Sequence, residues 1–77
     1  MLDAKQTLDR YFLEMRWRCL SLAADLDRVQ RGQGSEIVLS DPRLGKVRQA
    51  VQVLLEPTSG RAERVLMVFS DLTPPPK

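Results

Sequence analysis

Apolar side chains recur at Leu8, Phe12, Met15, Cys19, Leu22, Leu26 and Val29, at alternating intervals of four and three residues. A mean spacing of about 3.5 residues keeps all of them on one side of an α-helix. The pattern therefore predicts a helix with a continuous apolar seam of the kind that another helix covers. Turning each position by about 100° shows a second row. Leu13, Trp17, Leu20 and Ala24 lie roughly opposite the first row, with Leu2 on their side, while Tyr11 and Ala23 widen the first row at its margins. Between the rows runs a charged column, Arg10, Glu14, Arg18, Ser21, Asp25 and Arg28. Arg10 with Glu14 and Glu14 with Arg18 are opposite charges one turn apart, each such pair contributing a few tenths of a kcal/mol to a helix. The column reads as a solvated face.

The limits of this first helix are set by its ends. Asp3 supplies a carboxylate that can cap free backbone N–H groups, and no Gly or Pro occurs from there until Gly32. The predicted helix covers about 3–31 and is on the order of 40 Å long. The run Ile37-Val38-Leu39 in the following linker reads as a packed loop closing the end of a bundle, with a small edge strand as the alternative. Asp41-Pro42 opens a second helix, since Asp caps and Pro at the first position forfeits no hydrogen bond. Leu44, Val47, Val51 and Leu54, flanked by Ala50 and Leu55, give it an apolar stripe until Pro57 stops it, predicting 42–55.

Pro57-Thr58-Ser59-Gly60 is a turn, in which Thr58 or Ser59 can cap a third helix over 60–72. Ala62, Val65, Leu66, Phe69 and Leu72 supply its stripe. The segment Val65 to Phe69 would also serve as a buried strand, so 63–70 has two readings. Helix is preferred because good helix formers precede the run and only Ile37 to Leu39 could pair with a strand there. Thr73 to Lys77, with its three prolines, reads as a disordered tail. The expected architecture is all-α, a single helical domain over 1–72. In it two shorter helices pack on a long one, as a three-helix bundle or helical hairpin that self-associates.

Self-association follows from a shortage of material. A surface helix ordinarily has one apolar stripe, and two stripes require cover on both sides. A chain of 77 residues buries a small core. One stripe is expected inside the chain, as a core seam of Leu8, Phe12, Met15, Cys19, Leu22, Leu26 and Val29. The other, Leu13, Trp17, Leu20 and Ala24, is expected to meet a partner, with Trp17 as anchor. The alternative is that the two later helices straddle the first and cover both stripes. Small domains often rely on a disulfide, a metal or a partner subunit. One Cys and no His exclude an internal disulfide and the common zinc ligand sets, which leaves the partner. A dimer or tetramer is expected, with a different protein as the alternative partner.

Charge and chemistry alter this picture little. The net charge of +2 is spread over the whole chain, so no segment is a basic arm. The N-terminus lacks a basic segment followed by an apolar one, and no run reaches a membrane span, so a cytoplasmic location without membrane partners is expected. Cys19 fits a reducing compartment as a small core hydrophobe. No His is available as a general base, no Glu-x-x-His pair suggests a di-metal site, and Gly32-Gln33-Gly34 is not a phosphate loop. Neither an enzyme nor a cofactor is expected. Nucleic-acid binding is the competing function. The second and third helices could resemble a helix-turn-helix, with Arg43, Lys46, Arg48, Arg61 and Arg64 as contacts. The apolar Leu66 to Phe69 and the absence of Asn speak against it. Leu8-Asp9-Arg10 recurs as Leu26-Asp27-Arg28, eighteen residues on and on the same helix face, as though marking matching contacts in an antiparallel helix pair.

Overall fold

The computed structural model describes residues 1–70. Leu72 and the proline-rich tail lie outside them. The described chain is all-α: α1 (Ala4–Arg31), α2 (Ser35–Val38), α3 (Pro42–Leu55) and α4 (Arg61–Ser70), with no strand among the described residues. Contacts divide it into two compact units, one from Met1 to Val38 and one from Leu39 onward.

The first unit is dominated by the 28 residues of α1. Asp3 caps it as its sequence position predicts, and Gln6 completes the arrangement. The Gln6 backbone N–H donates to Asp3 Oδ1 at 2.8 Å, and the Asp3 N–H donates to Gln6 Oε1 at 3.0 Å. Two of the helix's orphan donors are thereby satisfied reciprocally. The spacing Asp3-x-x-Gln6 is the sequence signal for this reciprocal cap. At the other end Gly32 leaves the helical conformation, its N–H donating to the Val29 carbonyl at 3.1 Å, and Arg28 and Arg31 occupy the last turn where cations suit the helix dipole.

Beyond Gly32 the linker differs from expectation. Gly34 takes φ +82°, a left-handed conformation that a side chain rarely adopts, and its carbonyl accepts from Ile37 and Val38 at 3.1 and 3.3 Å. The result is the single turn α2 in place of a packed loop. Ile37 is 74% exposed, so it closes no core.

In the second unit, α3 has the predicted bounds. The Arg43 N–H donates to Asp41 Oδ1 at 2.8 Å, and Pro42 occupies the first turn. A five-residue connection leads to α4, which settles 63–70 as helix. Neither Thr58 nor Ser59 caps this helix. It begins after Gly60, at φ +81°, and Thr58 Oγ1 instead accepts from Arg64 Nη1 at 2.9 Å. Arg61 Nε and Nη2 both donate to the Glu56 carbonyl, at 2.9 and 2.6 Å, while Arg64 also pairs with the Glu56 carboxylate. Two arginines of α4 thus fasten the turn to the end of α3. Among the described residues of this unit Ala50 is buried, and Leu44, Val47, Val51, Val53, Val65 and Val68 are half-buried. Leu54, Leu66 and Phe69, placed on the stripes by spacing, remain exposed.

Candidate functional surface on the long helix

No residue of α1 is buried. Of the predicted seam, Leu8, Phe12, Met15, Cys19, Leu22 and Leu26 are exposed and Val29 is half-buried. Of the opposite row, Leu13, Trp17 and Leu20 are exposed and Ala24 is half-buried. The helix brings each row together as the spacing implies, but burial does not mark one as core and the other as interface. Phe12 at 54% and Trp17 at 63% exposure are the largest apolar groups of the two rows. Arg16 lies over the Trp17 ring, its guanidinium carbon 5.7 Å from the ring centre, and so shields part of the indole face.

The polar margins of α1 are laced by short-range ion pairs. Lys5 Nζ meets Asp9 at 2.9 Å, Arg18 meets Glu14 at 3.5 Å and Arg28 meets Asp25 at 2.5 Å. All these groups are solvent-exposed, where such a pair contributes about 0.3–0.5 kcal/mol. Of the two partners that spacing offered Glu14, the structure shows Arg18.

Three of the basic candidates on the second unit, Arg43, Arg61 and Arg64, serve local structure. Arg43 Nε and Nη2 bind both carboxylate oxygens of Asp41 at 3.0 Å, which together with the backbone donor holds that carboxyl down at about 2, against an ordinary 3.8. Arg61 and Arg64 are engaged with Glu56 and Thr58. Lys46 and Arg64 border an open groove of about 520 Å³ between α3 and α4, lined also by Gln49, Val53, Met67, Val68 and Ser70. Arg48 is exposed on α3. The groove arises from the pairing of two helices, which no spacing within either segment specifies.

Among the described residues no group of three His, Cys, Asp or Glu is placed to hold a metal, and no helix is long and apolar enough to cross a membrane. Compared with protein-family models, with curated proteins and with solved structures, the chain finds no match in any of the three.

Proposed function

We propose that this chain is a small, non-catalytic assembly module that self-associates into a homo-oligomer through α1. The observation that carries the reading is that a helix of 28 residues with two apolar rows has no buried residue. Fully burying a Leu or Phe side chain contributes about 1.5–3 kcal/mol, so covering the exposed half of each seam residue contributes about 1 kcal/mol. Summed over two copies this is on the order of 10 kcal/mol, comparable with the roughly 4–15 kcal/mol that association costs. With gain and cost of the same size, the expected complex is weak and concentration-dependent. The free, exposed Cys19 suits a reducing, cytoplasmic setting.

Sedimentation equilibrium across micromolar concentrations tests the reading. A mass that rises from 8.8 kDa toward a multiple of it supports assembly, and a constant 8.8 kDa removes it. A different protein on the same rows is the second reading. It predicts a monomer that gains helical stability only when that partner is added. Nucleic-acid binding is less favoured because Arg43, Arg61 and Arg64 spend their donors on Asp41, Glu56 and Thr58. Should it nonetheless hold, binding to mixed duplex will fall steeply with salt and with charge reversal at Arg61 and Arg64.

A further inference from the structure

We infer that the occupant of the α1 seam is a second copy of this chain running antiparallel, with the two-fold axis level with Ser21. This rests on the assembly reading above and adds orientation and register to it. The observation is a charge pattern on one margin of the seam. Glu14, Arg18, Ser21, Asp25 and Arg28 follow one another at intervals of four, three, four and three. Their signs run negative, positive, neutral, negative, positive. Reversed about Ser21, Glu14 falls against Arg28 and Arg18 falls within one residue of Asp25, while Arg10, the first member of the column, falls at Gly32 beyond the helix end.

A two-fold axis perpendicular to the helix performs that reversal. It sets each margin of the seam against the same margin of the second copy, whereas a parallel pair sets each margin against the other one. The structure has already arranged the charges as two intrachain pairs, Glu14 with Arg18 at 3.5 Å and Asp25 with Arg28 at 2.5 Å. In the antiparallel register Arg18 of one copy faces Asp25 of the other, which joins those pairs into an alternating row of four charges. Networks of this kind contribute more than isolated surface pairs. The same register stacks Phe12 on Val29, Met15 on Leu26 and Cys19 on Leu22, each twice by symmetry, without a polar interruption.

The competing arrangements lack this match. A parallel, in-register pair sets Arg18 opposite Ala23 and Asp25 opposite Gln30, forming no ion pair across the seam. Sliding the antiparallel pair by one heptad places either Arg18 against Arg18 or Asp25 against Asp25 at the axis. A slide of two heptads brings Lys5 into the seam against Leu22. Like charges held face to face oppose association.

Two measurements on the full chain test the proposal. By sedimentation equilibrium, Arg18→Glu alone and Asp25→Arg alone should each raise the dimer dissociation constant about tenfold, because two cross-pairs per dimer become repulsive. The double variant should return to within about threefold of the natural chain. Within one helix that double variant sets two acids at 14 and 18 and two bases at 25 and 28, which opposes helix formation. Recovery can therefore come only from contacts between copies, and a double variant weaker than either single one overturns the proposal. In the second measurement the natural chain is mixed with a Cys19→Ser, Leu22→Cys variant and mildly oxidised. A disulfide linking one chain of each kind supports the antiparallel register. Covalent dimers of the natural chain through Cys19 alone overturn the orientation while leaving assembly intact. A monomer at all concentrations overturns both.

Discussion

At the scale of single residues, the two left-handed glycines and the helix caps make the sharpest predictions. Gly60 has φ +81° with open space around the position of a Cβ, so Gly60→Ala meets a backbone penalty and no clash. The expected loss is about 1–2 kcal/mol, measured by urea unfolding. Gly45 also has open space but lies inside α3, where Ala is the better helix former. Gly45→Ala should therefore stabilise the chain by about 0.5–1 kcal/mol. Opposite signs for the same substitution at two glycines follow from φ alone. At the other end of the chain, Asp3→Ala removes the acceptor of the Gln6 N–H and should reduce helix stability by about 1 kcal/mol, read as lost ellipticity at 222 nm.

At the scale of elements, the start of α3 is sensitive to acid. Donors from the Arg43 side chain first, and its backbone second, hold Asp41 at about 2, below the ordinary 3.8. A carboxyl with a depressed folded-state pKa contributes stability that is complete above its unfolded value and lost as pH falls toward its folded one. Asp41→Asn keeps a capping oxygen but no charge. The natural chain should therefore unfold at higher urea than this variant at pH 5, and the gap should close between pH 3.8 and about 2. Added salt should narrow it at pH 5, since the pair is exposed. In the same helix Ala50 is 7% exposed, which leaves no room for a larger side chain. Ala50→Leu should destabilise the second unit by about 1–3 kcal/mol in urea melts, with α1 helicity retained.

At the scale of the whole molecule, the two apolar rows of α1 predict different responses to an added charge. Trp17→Glu puts a charge into the row of Leu13 and Leu20, while Phe12→Glu puts one into the seam. If two copies pair through the seam, Phe12→Glu should dissociate them and Trp17→Glu should leave the dimer mass unchanged. A tetramer requires the second row as well, and Trp17→Glu should then reduce it to a dimer. Light scattering of both variants at matched concentration reads the difference.

Much of this architecture was legible in the chain itself. Asp3 and Gly32 bracket α1, Asp41-Pro42 opens α3 and Pro57 follows its end, because caps and breakers act through the few residues beside them. The rows on α1 were legible for the same reason, since a helical repeat is a local geometry. Tertiary structure decided what lies between helices. It turned Ile37 outward, used Arg61 and Arg64 to fasten Glu56 and Thr58, and opened a groove between α3 and α4. Neither row of α1 contains a buried residue. Spacing along one helix ranks faces by polarity. Which face is covered depends on where other helices lie, and that information resides in contacts between segments rather than in the repeat of any one of them.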